Sequence, residues 1–229
     1  MGAGDGRVHR GTTRIVLNAT ALFDGGSGVQ TYASELLRAL GSVDLHGYAV
    51  EAMVDRASAA FVPPSIGVRP QRADSGLRRK IRSALPVAAD VVHGLDVDIP
   101  WAARGARRVA TVHDLSQIDT PWAFGRSGLV KRRLTEFACR RADSLIAVSA
   151  FTAERLQARF ARSAVVVHEA PRSGLAPASA TAVDELRRRF GLPARFVLYV
   201  GNLEPRKDVP VLAAACRAVG VPLVLVGGA

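Results

Sequence analysis

A glycine turn followed by two adjacent cations lies close to the carboxyl end of the chain. Gly201 and Asn202 come directly after an apolar, β-branched run, and Arg206 and Lys207 follow within the next few residues. A guanidinium and an ammonium group beside free backbone amides suit an anion such as a diphosphate. These four residues therefore predict a phosphate site, and solvated surface charge is the alternative interpretation.

A second glycine-rich segment, Gly25-Gly26-Ser27-Gly28, joins the first predicted strand to its helix. Glycines such as Gly26 and Gly28 let backbone amides approach a ligand phosphate closely. The segment is not a Walker loop, because no Lys-Ser/Thr pair follows it. Thr31 also stands where a dinucleotide fingerprint has its third glycine. A plain tight turn would explain the same glycines.

A histidine and an aspartate, His113 and Asp114, follow another predicted strand. Open parallel sheets place their ligands at this carboxyl edge, so both residues are catalytic candidates. The alternative is a structural histidine held by Asp114. His93 also ends a strand, and we interpret it as structural or as lining the crevice. Neither histidine has the partners that a hydrolytic triad or a metal site requires, so no metal site is predicted.

The elements that must position these residues alternate along the chain. Apolar residues recur at helical spacing over 29–40 and Gly41 follows, which predicts a helix that ends there. Strands are predicted at 14–17, 48–54, 90–93, 108–112, 144–148, 164–167 and 196–200. Further helices are predicted around 130–138, after Ser149, over 183–190 and after Asp208, which we expect to cap the last one. The alternation predicts an α/β fold with parallel sheets covered by helices on both faces.

The composition predicts four parts. Residues 1–12 form a polar leader, 13–172 a first domain, 173–189 a linker with a connecting helix, and 190–229 the start of a second domain. No apolar run reaches the roughly 20 residues that span a bilayer, and no secretory signal is present at the start, so we expect a cytoplasmic protein. Cys139 and Cys216 are expected to be buried thiols.

The net charge of +11 comes almost entirely from arginine. No nucleic-acid-binding motif accompanies the basic clusters, so nucleic acid is not an expected partner. In the segment 77–85, apolar residues four apart alternate with basic ones, which would suit peripheral contact with an anionic membrane at its inner face. An ordinary surface helix is the simpler interpretation.

Four segments together resemble the retaining glycosyltransferases of the GT-B fold, of the family 4 type that includes mannosyl- and glucosyltransferases. The segments are Gly25-Gly-Ser-Gly-Val29 with its helix, Thr111-Val-His-Asp-Leu115, Ala142-Asp-Ser-Leu-Ile-Ala-Val-Ser149 and Val200-Gly-Asn-Leu-Glu-Pro-Arg-Lys-Asp208. The resemblance covers about residues 13–229, and the last segment is the most specific.

The resemblance implies a GT-B-like enzyme: a Rossmann-like first domain on the acceptor side and an incomplete second Rossmann-like domain that binds the nucleotide-sugar. A hexose would move from a GDP- or UDP-linked donor to a glycan or glycolipid with retention, in polysaccharide or glycolipid assembly and without a cofactor or bound metal. The loop Gly26 to Gly28 would approach the donor phosphates and His113 the donor sugar. Lys207, with Arg206, would neutralise the leaving diphosphate, near Gly201 and Asn202.

The chain departs from the family's pattern in two ways. Asn202 stands where many relatives carry arginine, so we expect Arg206 to supply that charge. The paired glutamates that hold the donor in the family would lie beyond residue 229, so we expect a truncated chain that is weakly active or inactive. A second hypothesis is a non-catalytic remnant or binding subunit completed by a partner chain. A third is a dinucleotide-binding Rossmann enzyme, with Glu51 or Asp55 as its acidic residue.

Overall fold

The computed structural model describes residues 11–22, 28–72 and 87–228. The chain divides into two compact units. The first contains the chain up to Leu115 together with Val130–Ser173, and the second contains Ser116–Leu129 together with the chain from Gly174 onward. Gly25, Gly26, most of the predicted leader and the basic segment 77–85 lie outside the described residues. The four-part domain division stays a prediction.

A seven-stranded sheet forms the centre of the first unit. Its strand order is β3-β2-β1-β4-β5-β6-β7, and every neighbouring pair is parallel. The predicted α/β fold with a Rossmann-like parallel sheet is therefore confirmed. The strands are β1 Thr13–Asn18, β2 Tyr48–Asp55, β3 Gly67–Gln71, β4 Val91–Gly94, β5 Arg107–Val112, β6 Ser144–Ala147 and β7 Val165–Val166.

Apolar side chains from the sheet and from the first helix, α1 (Gly28–Leu40), form a buried core. Leu17, Leu37 and Val54 belong to one buried cluster, and Leu37 is completely inaccessible to solvent. Fully burying one such leucine stabilises a fold by about 2 kcal/mol. Helical spacing in α1 brings Ala33 and Leu37 to the same buried face, which is the pattern that the sequence predicted.

The other helices cover and connect the strands. Ser149 caps the helix Ala150–Phe160 as predicted, because its hydroxyl accepts a hydrogen bond from the backbone N–H of Thr152. The helices are α2 Ser116–Asp119, α3 Arg126–Arg141, α4 Ala150–Phe160, α5 Ala180–Phe190 and α6 Val209–Ala218, with 3₁₀ turns at Arg56–Phe61, Pro121–Ala123 and Pro205–Lys207. None of the helices in the described ranges has both the length and the apolar character needed to cross a membrane.

The second unit contains a separate pair of parallel strands, β8 (Val197–Val200) and β9 (Leu223–Val226), with α6 between them in sequence. The cap predicted for α6 is wrong. Asp208 occupies the position before the helix, but its side chain makes no capping hydrogen bond and its backbone is left-handed, with φ 49° and ψ 42°. The 3₁₀ turn Pro205–Lys207 ends at the same residue, and this turn gives Asp208 a conformation unlike the extended one of a capping residue.

Both cysteines are buried and unbridged, as predicted. Burial raises the pKa of the Cys139 thiol to about 12, since the interior disfavours the thiolate. Cys139 therefore behaves as a small apolar residue of α3.

Candidate functional site

The carboxyl ends of β1, β4 and β5 are neighbours at one edge of the large sheet. Strand order reverses between β1 and β4, since β2 lies on one side of β1 and β4 on the other. Parallel α/β sheets bind ligands outside the strand ends at such a reversal. This edge is therefore the first place to search for a site.

Gly28 is the first residue of α1 and is exposed, and the next residue, Val29, lines a small cavity together with Asn18 at the end of β1. A Cβ atom added there would meet no atom within 4 Å, so the described neighbours leave open space around the helix start. Backbone amides at a helix start attract anions. The predicted approach of Gly26 and Gly28 to a phosphate stays a prediction, since Gly26 is outside the described residues.

Two details, one of a side chain and one of the backbone, shape the surface at the carboxyl ends of β1 and β4. The Asn18 amide donates a hydrogen bond of 2.6 Å to the carbonyl of Asp98, and its oxygen accepts from the Thr20 hydroxyl at 2.8 Å. A Cβ atom on Gly94 would lie 2.6 Å from the carbonyl oxygen of Asp96 and 2.8 Å from that of Asp98. Only a residue without a side chain fits under this loop, so Gly94 lets the chain after β4 fold back over the strand end.

The ring of His113, directly after β5, is held from several sides. Its Nε2 lies 2.9 Å from the carbonyl oxygen of Leu95, and its Nδ1 lies 2.9 Å from Glu169 Oε1. The Tyr32 ring meets it edge to face at 4.8 Å, and the His113 carbonyl accepts a hydrogen bond from the Thr152 hydroxyl. The His113 side chain is 15% exposed, whereas that of Glu169 is 45% exposed.

These contacts correct one prediction and reveal a residue that it lacked. The alternative interpretation of His113 gave its ring Asp114 as a partner, but both ring nitrogens contact other oxygens. Glu169 lies 56 residues away in sequence, so no local pattern joins it to His113. The usable signal was its place just after β7, at the same edge of the sheet. Asp114 is exposed, and its catalytic role stays a prediction.

A second histidine, His93, belongs to a hydrogen-bonded network below this edge. His93 Nε2 lies 2.9 Å from the Thr111 hydroxyl, which lies 3.3 Å from the Tyr32 hydroxyl. Burial lowers the pKa of His93 to about 4, because the interior disfavours the imidazolium. Burial also raises the pKa of Tyr32, against the lowering effect of Thr111. Both groups are therefore neutral near pH 7, and these contacts favour the structural role over the crevice-lining role, the two that the sequence left open for His93.

In the second unit, the predicted phosphate segment begins where β8 ends. Gly201 has a φ of +148°. A Cβ atom on Gly227 would overlap the carbonyl oxygen of Gly201. The Tyr199 hydroxyl donates a 2.6 Å hydrogen bond to the carbonyl of Asn202. Two glycines at adjacent strand ends thus let the backbones of β8 and β9 approach closely.

The two predicted cations of this segment have different surroundings. Arg206 Nε donates to Glu204 Oε2 at 2.7 Å, so a carboxylate already compensates its charge. Lys207 is exposed, and no ion pair of its ammonium group occurs among the described residues. The role of Arg206 in supplying the charge missing at Asn202 stays a prediction, and Lys207 is the cation of this segment without such a carboxylate partner.

The acidic residues considered for dinucleotide binding have protein partners. Glu51 lies in the middle of β2 rather than at its end, and it accepts from Arg69 Nη2 at 2.6 Å. Asp55 ends β2, but its side chain caps the following 3₁₀ turn through the N–H of Ala57. Neither arrangement favours a ribose-binding carboxylate.

Groups of three or more histidine, cysteine, aspartate or glutamate side chains able to hold a metal ion do not occur in the described ranges. The first unit therefore offers hydrogen-bonding groups at the edge of the large sheet, and the second unit, taken by itself, offers the exposed ammonium group of Lys207. Such groups can bind hydroxyl-rich and phosphorylated molecules.

Comparison with known proteins identifies a match over most of the first unit. The family model described as Glycosyltransferase Family 4 matches residues 26–170. A search of curated proteins found no significant match. The matched range contains β2 to β7, His113 and Glu169.

Proposed function

The chain belongs to Glycosyltransferase Family 4, and we propose that it transfers a hexose of the mannose or glucose type from a nucleotide-diphosphate sugar. The acceptor in this proposal is a glycan or glycolipid, and the anomeric configuration is retained. Membership of the family supports glycosyl transfer from a sugar donor to an acceptor in general. The hexose, the retention and the acceptor class are the parts that we add.

One observation carries the proposal: the family match covers Gly28, His113 and six of the seven strands of a sheet that has a strand-order reversal. Polar groups at such a sheet edge bind the hydroxyl and phosphate groups of ligands. The proposal assigns the donor sugar to the neighbourhood of His113 and the phosphates to the amides around Gly28.

Lys207 supports the diphosphate part of the proposal. Lys207 is exposed in the 3₁₀ turn after β8, a few residues after Gly201 and Asn202 in sequence, and Arg206 next to it pairs with Glu204. A cation in this place would stabilise the negative charge that develops on a departing UDP or GDP. The proposal needs no bound metal, since protein cations can carry out that task.

The first experiment measures binding rather than turnover. We expect Lys207→Ala to weaken UDP or GDP binding by about tenfold, because one charge-assisted contact to phosphate is lost. Isothermal titration calorimetry of the 229-residue chain with UDP and with GDP would measure the change.

Lys131→Ala provides the matched control, since it removes the same charge from α3 in the first unit. We expect this variant to bind like the parent chain. Equal binding by the parent and Lys207→Ala would remove Lys207 from the site. Failure of the parent to bind any nucleoside diphosphate would contradict the proposed donor.

A further inference from the structure

Of the two paired side chains His113 and Glu169, Glu169 is the more exposed to solvent. The His113 side chain is 15% exposed and the Glu169 side chain 45% exposed. The Tyr32 ring covers a further side of the imidazole, edge to face. A ligand that approaches this pair from solvent therefore meets a carboxylate first.

Hydrogen-bond accounting leads to the same residue. The Leu95 carbonyl can only accept, so His113 Nε2 must donate to it. Nδ1 lies 2.9 Å from Glu169 Oε1, and it donates to that carboxylate when the ring carries a proton on both nitrogens. Neither ring nitrogen of His113 can bind a ligand unless one of these contacts breaks.

The Glu169 carboxylate, by contrast, has capacity left. A carboxylate has two oxygens with about four lone-pair sites, and the contact with His113 uses one of them. Hydrogen bonds from a neutral donor to an ionised acceptor are stronger than bonds between neutral groups. A hydroxyl is a suitable donor for the remaining oxygen.

We propose that Glu169 contacts the sugar part of the substrate and accepts a hydrogen bond from one of its hydroxyl groups. His113 then acts as a positioning residue, since its Nδ1 holds the carboxylate in one orientation. The inference rests on the proposed function, because it assigns a hexose to this edge. It moves the sugar contact from His113, where resemblance alone would place it, to a residue that follows β7.

The test compares ligands with and without the sugar. UDP-glucose and GDP-mannose would be titrated into the parent chain and into Glu169→Gln, alongside UDP and GDP. The carboxamide keeps the shape but loses the charge, so we expect affinity for the bound nucleotide-sugar to fall by about tenfold. Affinity for the matching nucleoside diphosphate should stay within about twofold, since it has no sugar hydroxyls at this position.

Two further variants keep the result interpretable. His113→Gln releases the carboxylate, and we expect a smaller loss that is again confined to the nucleotide-sugar. Glu136→Gln removes a carboxylate that pairs with Arg132 within α3, and it should change neither affinity. Thermal melting by circular dichroism would establish that all variants fold like the parent.

The outcomes separate the two proposals. A loss confined to nucleotide-sugars supports the role of Glu169. Unchanged affinities in Glu169→Gln, or equal losses for nucleotide-sugar and nucleoside diphosphate, overturn that role while the proposed function stands. A parent chain that binds none of the four ligands overturns both.

Discussion

At the scale of single residues, the two histidines at neighbouring strand ends have different surroundings. His93 contacts the buried Thr111, whereas His113 contacts the half-exposed Glu169. The sequence placed both histidines at strand ends correctly, because short apolar strands are easy to recognise. It could not supply Glu169, since a contact across 56 residues depends on the strand order and not on local spacing.

The lowered pKa of His93 has a measurable effect on stability. The pKa of His93 falls from 6.5 to about 4 on folding. Between these two pH values the unfolded chain binds a proton that the folded chain does not bind. The contribution of neutral His93 to the free energy of unfolding is therefore fully present above the unfolded pKa, and it decreases as the pH falls towards 4. We expect a loss of roughly 1–2 kcal/mol between about pH 7 and about pH 5, measured by urea unfolding.

His93→Gln isolates this effect, because glutamine keeps a polar group towards Thr111 but does not titrate. The variant can be less stable at every pH. The informative quantity is the change in the free energy of unfolding between about pH 7 and about pH 5. A parent and a variant with the same difference would show that another group causes the pH dependence.

At the scale of elements, periodicity predicted most strands and helices to within a few residues. The strand β3 was not placed, since Pro70 and the surrounding loop residues obscure its pattern. The 3₁₀ turn before α6 was also missed, and with it the true conformation of Asp208. An aspartate before a helix usually predicts a cap, but a left-handed backbone at that position directs the side chain elsewhere.

Asp208→Gly should therefore stabilise the second unit. The residue has a φ of 49°, a region that glycine adopts without the steric cost of a Cβ atom, and its side chain makes no capping bond that would be lost. We expect a gain of about 0.5–1 kcal/mol, reduced by the greater freedom of glycine in the unfolded chain. Chemical denaturation would measure it.

Asp184→Gly provides a control of opposite sign. Asp184 lies inside α5, where glycine costs about 0.3 kcal/mol relative to aspartate. Destabilisation by Asp208→Gly as large as that by Asp184→Gly would contradict the left-handed conformation of Asp208.

At the scale of the whole molecule, the chain builds two separate sheets. Seven strands pair in the first unit, and β8 pairs with β9 in the second. The sequence predicted a linker over 173–189, but it did not predict that Ser116–Leu129 belongs to the second unit. The roles of Gly26 and of the basic segment 77–85 could not be compared with the structure, because they lie outside the described residues.

Separate sheets predict separate responses to mutation. Gly227→Ala would force a Cβ atom against the Gly201 carbonyl at a φ of +153°, so we expect β8 and β9 to lose at least about 2 kcal/mol of stability. Hydrogen exchange followed by mass spectrometry should show faster exchange in these strands, with β1, β4 and β5 unchanged.

Gly94→Ala is the reciprocal variant, since its Cβ atom would meet the carbonyls of Asp96 and Asp98 in the first unit. It should accelerate exchange in β4 and its neighbours and leave β8 and β9 unchanged. If either variant accelerated exchange throughout the chain, the two sheets would unfold as one cooperative body.

The pairing of β1 with β4 also constrains how the protein is made on the ribosome. Ile15 pairs with Val91, and the Arg14 amide donates to Asp90, a residue 76 positions later. Contacts so distant in sequence form late and slow the folding of parallel sheets. During translation, β1 and β2 therefore emerge well before the strand that completes the centre of the sheet. The edge of β1 that pairs with β4 keeps its backbone N–H and C=O groups unpaired until β4 has been synthesised, and in that interval a nascent chain is vulnerable to aggregation.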